Sequence, residues 1–157
     1  MAKKMKLDKL DHKILATLQA QGKITNVKLA EKVGISAPPC LRRVRVLEKE
    51  KLIEGYHAQL NAQKLGFKVS VFAMVSLHSQ AEDDLKKFEK LCTQWPQVRE
   101  CHMLNGEIDF ILKCVAPDLE DFQKFLTQKL TPAPNVASVK TSLTIRCSKA
   151  LPGVPIE

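Results

Sequence analysis

No CxxC pair and no cysteine–histidine cluster occurs in this chain, although it holds five cysteines, Cys40, Cys92, Cys101, Cys114 and Cys147. The missing ligand spacing argues against a zinc site, and the odd count argues against a disulfide framework. Most of the five sit beside apolar neighbours and read as small buried hydrophobes. Long apolar runs are missing too. None approaches the ~20 residues of a membrane span, and residues 1–13 hold no apolar stretch long enough for a signal peptide. These absences predict a soluble protein of a reducing compartment, the cytoplasm. Aromatic residues make up only 5% of the chain. A sheet that binds single-stranded RNA needs exposed aromatics beside basic residues, and only Phe72 and Phe110 are candidates.

What is abundant is positive charge, and it is confined to one half. The chain of 157 residues carries a net +8. Residues 1–65 hold 14 Lys and Arg against 6 Asp and Glu, which accounts for the whole excess. Residues 66–157 hold 11 of each and are neutral. The length allows one domain or two small ones, and the split in charge favours two. A generally sticky basic protein would spread its charge, whereas a nucleic-acid binder concentrates it.

The basic half is organised around residues 24–52. Val27, Leu29, Ala30 and Val33 predict the apolar stripe of one short helix. Gly34 falls where the chain leaves that helix in a left-handed conformation, and Ile35 plugs the corner. Ser36 stands at the cap of a second helix, in which Cys40, Leu41, Val44 and Leu47 share a face at spacings of three and four. Arg42, Arg43, Arg45 and Lys49 project from the opposite side. One buried stripe and one cationic face on a short helix pair is the helix-turn-helix layout, whose second helix enters the DNA major groove. Pro38 and Pro39 remove the first-turn amides that a serine cap normally binds. The Ser36 hydroxyl is then free for a phosphate oxygen, or the prolines simply stiffen the turn. Leu7 to Gln21 reads as a preceding helix that gives the pair a third wall, with Asp8 at its positive end.

Residues 1–55 form this domain, residues 56–66 a linker with a short strand over His57 to Leu60, and residues 67–157 a second domain. In the second, Val69 to His78 predicts a strand and Glu82 to Thr93 a helix. Val98 to Leu104 and Ile108 to Val115 are strands joined at Asn105-Gly106, a strong hairpin signal. Asp118 to Leu130 predicts a helix with Leu119, Phe122, Phe125, Leu126 and Leu130 inward, and Val136 to Arg146 the last strand. The order β-α-β-β-α-β is the split, ferredoxin-like pattern, so the fold class is α+β. Helices should cover one sheet face. Phe72, Met74 and Leu104 make the other too apolar to stay wet, which predicts a dimer through the sheets. Such folds also host acyl-phosphate hydrolysis. Here no glycine-rich phosphate cradle accompanies the first strand, and His78 and His102 have no nucleophile beside them.

A helical wheel sets Arg42, Val46 and Lys49 at the centre of the outward face of the second short helix. Ser36, Pro39 and Arg43 fall on one flank, Pro38 and Arg45 on the other. Because groove entry uses the N-terminal turns, Ser36, Pro39, Arg42 and Arg43 are the candidates for bases and adjacent phosphates. Arg45 is expected on phosphate or paired with Glu48. Thr25, Asn26 and Lys28, at the start of the preceding helix, are placed to clamp the DNA backbone. In the neutral half, Leu104, Asn105, Gly106 and Glu107 offer backbone amides suited to a carboxylate, and Asp109 an acid suited to an ammonium group. Thr141, Ser142 and Thr144 add hydroxyls. These residues would satisfy a free α-amino acid, or they are an ordinary turn beside ordinary strand threonines.

The run of pieces resembles one family, the leucine-responsive and asparagine-responsive (Lrp/AsnC) transcriptional regulators. LDKLDHKILATLQAQGKITNVKLAEKVGIS is similar to the family's opening helices, SAPPCLRRVRVLE to its recognition helix and IEGYHAQLN to its linker strand. ECHMLNGEIDFILKCV resembles its effector hairpin and VKTSLTIR its last strand. The order and spacing together cover nearly the whole chain. Ile108 and Ser142 depart from the pattern, at positions often aromatic and often bulkier. The resemblance implies a winged-type helix-turn-helix and no enzyme activity or cofactor. It implies a free amino acid sensed at Leu104, Asn105, Gly106, Glu107, Asp109, Thr141, Ser142 and Thr144. It further implies double-stranded DNA as partner, homodimers joining into octamers that wrap it, and a place on the nucleoid. A ligand-independent architectural protein that wraps DNA as an oligomer is the alternative.

Overall fold

The computed structural model describes residues 6–156; residues 1–5, the start of the segment read for a leader, and residue 157 lie outside the described residues. The backbone divides into two units. One runs to Gln59 and takes in the tail from Lys149, and the other spans Leu60–Ser148.

The first unit is three helices: α1 (Lys9–Ala20), α2 (Asn26–Val33) and α3 (Ala37–Lys49). Asp8 caps α1 by accepting the Asp11 amide, while the Asp11 carboxylate accepts the Asp8 amide in return. Thr25 caps α2. Gly34 closes α2 at φ 80°, and the amides of Gly34 and Ile35 both return to the Ala30 carbonyl. Ser36 caps α3 by position only, its hydroxyl making no capping bond, as Pro38 and Pro39 require. Ile14, Leu29, Ala30, Val33, Cys40, Val44 and Leu47 form the core. Two expectations fail here. Val27 is 57% exposed because it stands two residues before Leu29, on the far side of so short a helix. Residues 57–60 are irregular, since no strand of the first unit offers them a ladder. The tail, expected with the second domain, reaches α1, where the Gln19 amide donates to the Val154 carbonyl and accepts its N–H.

The second unit is an antiparallel sheet ordered β2-β3-β1-β4, with β1 Val69–Leu77, β2 Val98–Met103, β3 Phe110–Ala116 and β4 Val136–Leu143. Helices α4 (Glu82–Gln94) and α5 (Leu119–Phe125) complete it, the latter widening into a π turn over Leu126–Leu130. Thr131 donates to the Leu126 carbonyl five residues back. Alternation along the strands sorts the faces. Val71, Ala73, Val75, Phe110, Leu112 and Cys114 are buried with Phe88, Phe122 and Phe125. Phe72, Met74, Ile111 and Lys113 take the opposite face, where Lys113 pairs with Glu100 at 2.7 Å. Leu119, expected inward, is exposed because it opens α5 directly after its cap Asp118. Among the described residues no helix is long and apolar enough to cross a membrane.

Phe88 holds this core at its centre, 4.9 Å from the Phe110 ring and edge-on to Trp95 at 6.3 Å. Phe88→Ala should therefore cost roughly 3–5 kcal/mol. The single tryptophan, Trp95, reports it as a lower urea midpoint in fluorescence. An unchanged midpoint would contradict this packing.

Candidate functional site

The outer side of α3 carries Arg42, Arg45 and Lys49, all exposed. Among the described residues neither Arg42 nor Arg45 has an acid partner. The expected Arg45–Glu48 pair does not form, because Glu48 accepts the Tyr56 hydroxyl at 2.9 Å. Burial and that charged partner push the Tyr56 phenol up to about 12, so it stays a donor. Ser36 is exposed with its hydroxyl uncommitted, and Pro39 lies beside it half-buried. Thr25 accepts the Lys28 amide at 3.4 Å, which leaves its own O–H proton to donate outward, and the Lys28 side chain is exposed. These residues form a cationic surface with free donors. Its chemistry suits phosphate oxygens and base acceptors.

Two of the expected DNA contacts are committed elsewhere. Asn26 donates from Nδ2 to the Ala37 carbonyl at 2.8 Å and so staples the start of α2 to the start of α3. Arg43 turns back across the unit. Its Nη1 lies 2.8 Å from Asp8 Oδ2 and 2.8 Å from Asp11 Oδ1. Asp11 is only 4% exposed, so it needs this counter-charge. The Asp11 amide, and then Arg43, hold the Asp8 carboxyl below its ordinary range, while Asp11, and then Asp8, raise the Arg43 guanidinium. Sequence reasoning missed this node. Its signal was available: Asp8 and Asp11 have capping-box spacing, and Asp11, Ile14 and Leu18 fall on one helix face.

The neutral half departs further from expectation. The strands are joined by a loop, closed where Leu104 donates to the Asp109 carbonyl at 2.8 Å, rather than by a two-residue turn. Leu104, Asn105, Gly106 and Glu107 are exposed in it, and Gly106 does not need a left-handed backbone. Asp109 is not a solvent-facing acid. It is 8% exposed, precedes β3, and accepts the Leu77 amide at 2.7 Å, an amide that β3 is too short to reach. Nor does one chain gather the expected ligand residues. Phe110, beside the loop, pairs with Val75 of β1, whereas Thr144 donates to the Ser70 carbonyl at the other end of that strand. Five residues of strand separate them, roughly 17 Å. Thr141 and Ser142 also point to opposite faces, the first opposite Ala73 and the second opposite Phe72.

Both halves have counterparts among known proteins. A winged helix-turn-helix DNA-binding model matches residues 7–54, and the Lrp/AsnC ligand binding domain model matches residues 70–153. The chain belongs to the Lrp/AsnC family of transcriptional regulators. It is 53% identical over 146 residues to the leucine-responsive regulatory protein of Rhizobium meliloti, covering 93% of this chain and 94% of that one. The Bkd operon transcriptional regulator of Pseudomonas aeruginosa is 43% identical, with 89% and 92% covered. A Neisseria meningitidis transcriptional regulator solved as a complex with L-Met superposes at a TM-score of 0.91. It is 33% identical, with 96% and 97% of the two chains covered. This member of the family is thus a DNA-binding transcriptional regulator and not an enzyme, with a winged helix-turn-helix followed by an α+β ligand-binding domain.

Two arginines one residue apart should behave differently. Arg42→Ala should weaken operator binding and leave the urea midpoint unchanged. Arg43→Ala should remove the partner of buried Asp11 and cost roughly 1–3 kcal/mol of stability. Equal stability for the two variants would break the assignment. The acid response follows from Asp8. Its folded pKa is depressed, so its contribution is present above the unfolded value of about 3.9 and is lost as pH falls through the folded one. Asp8→Asn should flatten the stability curve below about pH 4 and leave its slope at neutral pH unchanged.

Proposed function

We propose that this regulator reads DNA with Ser36, Pro39 and Arg42, and clamps the backbone with Thr25, Lys28 and Arg45. A small amino acid then alters its assembly and so its hold on DNA. Support for the first part is the exposed, unpaired cationic side of α3 within residues 1–65, which hold the chain's entire net charge. Support for the second is the exposed Leu104–Glu107 loop, together with the L-Met in the Neisseria meningitidis relative.

The observation that carries the effector reading is the distance between its two halves. The loop and Thr144 lie at opposite ends of β1, so a site that uses both needs a second copy to close it. An amino acid bound across copies has different affinity for different assemblies, and that difference is what couples ligand to DNA. Phe72, Met74 and Ile111 on the uncovered sheet face suit pairing into homodimers. Further association toward an octamer would use the loop. Asp109 then serves as the anchor that holds the loop on β1. The Thr144 hydroxyl, buried and without a partner, is a donor left for the other copy or its ligand.

A thermal-shift screen of the twenty amino acids tests the effector. At 100 times its dissociation constant, a true effector should stabilise the protein by roughly 2.7 kcal/mol. Gly106→Val is the discriminating variant, because a side chain there meets nothing within 4 Å and the fold is unstrained. It should melt as wild type without ligand and lose the ligand-dependent shift. Retention of the full shift would move the site away from this loop, and no shift with any amino acid would favour the architectural alternative.

A further inference from the structure

The chain holds four asparagines, Asn26, Asn61, Asn105 and Asn135, and three of them have hydrogen-bonded side chains. Asn26 donates to the Ala37 carbonyl at 2.8 Å, and Asn61 accepts the Lys64 amide at 3.0 Å. Asn135 accepts the Ser79 amide at 2.9 Å and donates to the Ser79 carbonyl at 2.8 Å. Each of these three is followed by a residue with a side chain, Val27, Ala62 or Val136. Asn105 differs on both counts. It precedes Gly106, and both residues are exposed in the open loop between β2 and β3. Among the described residues neither the Asn105 side chain nor the Gly106 N–H has a hydrogen-bond partner. A side chain at Gly106 would meet nothing within 4 Å, so the loop has room to rearrange there. We infer that Asn105 is a site of spontaneous deamidation, which turns the loop's neutral amide into a carboxylate.

The Gly106 nitrogen, on losing its proton to hydroxide, attacks the carbonyl carbon of the Asn105 side chain. A C–N bond forms and closes a succinimide ring, and the side-chain nitrogen leaves as ammonia with a proton from water. A water molecule then adds to one of the two ring carbonyls and breaks its bond to nitrogen. Opening at the former side-chain carbonyl gives aspartate. Opening at the main-chain carbonyl gives isoaspartate, whose main chain runs through the former side chain. In sum, one amide and one water give one carboxylate and one ammonium ion. Glycine favours the attack because no Cβ crowds the nitrogen and its backbone rotates freely into reach. An amide held by hydrogen bonds, as at Asn26, Asn61 and Asn135, cannot turn onto the following nitrogen. The bonds that anchor the loop, Leu104 to the Asp109 carbonyl and Leu77 to the Asp109 carboxylate, lie outside the reacting pair, so the fold survives the change. The effect on a ligand rests on the effector reading: a new negative charge beside the Gly106 amide opposes the carboxylate which that amide would hold.

The sequence makes the test direct, because Arg99 and Lys113 place Asn105 on a tryptic peptide, residues 100–113, that has no other asparagine. Full-chain protein is kept warm at mildly alkaline pH and digested at intervals. Peptide 100–113 should gain the mass of OH in place of NH2, divide into two products on chromatography and accept methyl groups from an isoaspartyl methyltransferase. The rate should rise with hydroxide concentration. Peptides holding Asn26, Asn61 and Asn135 should stay unchanged over the same period. Gly106→Ala should slow the reaction several-fold and Asn105→Ser should abolish it, each with a wild-type melting midpoint in the absence of ligand. An intact peptide 100–113, or a reaction that appears first at another asparagine, would overturn the assignment. The same samples separate it from the effector reading. The amino acid found in the thermal-shift screen should slow the reaction by occupying the Gly106 amide. A modified peptide that forms equally fast with that amino acid present supports the deamidation site and removes the ligand from Gly106.

Discussion

The recognition helix is held by one guanidinium. Arg43 reaches from α3 to both acids at the start of α1, and Asp11 has no exposure to water that would let it do without the charge. Short helices bury little surface, so a shared ion cluster sets the angle between them more sharply than aliphatic contacts alone. The same residue that draws α3 against α1 fixes which of its neighbours face outward. With Arg43 turned in, Arg42 and Arg45 are turned out. The geometry of the cationic outer surface is therefore a consequence of an interaction on the opposite side of the helix.

The general plan was legible in the sequence because periodicity reports burial. The helix-turn-helix, its left-handed Gly34, the uncommitted Ser36 hydroxyl and the β-α-β-β-α-β order all follow from spacing and from proline and glycine chemistry. What escaped involves partners far apart in sequence or single residues at element ends. Arg43 lies 32 residues from Asp11, and no local pattern says which of two adjacent arginines will turn inward. Asp109 looked like a functional acid because acids at strand starts are exposed as a rule. Its burial depends on β1 running past β3 and leaving the Leu77 amide to be satisfied. The two-residue turn at Asn105-Gly106 gave way to a longer loop for the same reason, since the chain has to return in register to place Asp109 there.

The two regions that could recognise a ligand differ in kind. The loop Leu104–Glu107 is backbone-rich and exposed, whereas Thr141, Ser142 and Thr144 lie along an edge strand whose outer side has no neighbour in the sheet. An edge strand and a protruding loop are both features that a monomer leaves unsatisfied.

The tail has a topological meaning. Residues from Lys149 onward belong with the helical unit, so the sheet unit is bounded on both sides by parts of the first. The chain crosses between the units twice. A single cut near Gln59 would leave the helical unit held by Gln19 and Val154 to a segment still covalently joined to the sheet unit. Separating the two halves at the boundary that charge and composition suggest would strip α1 of a strand of chain that it normally binds.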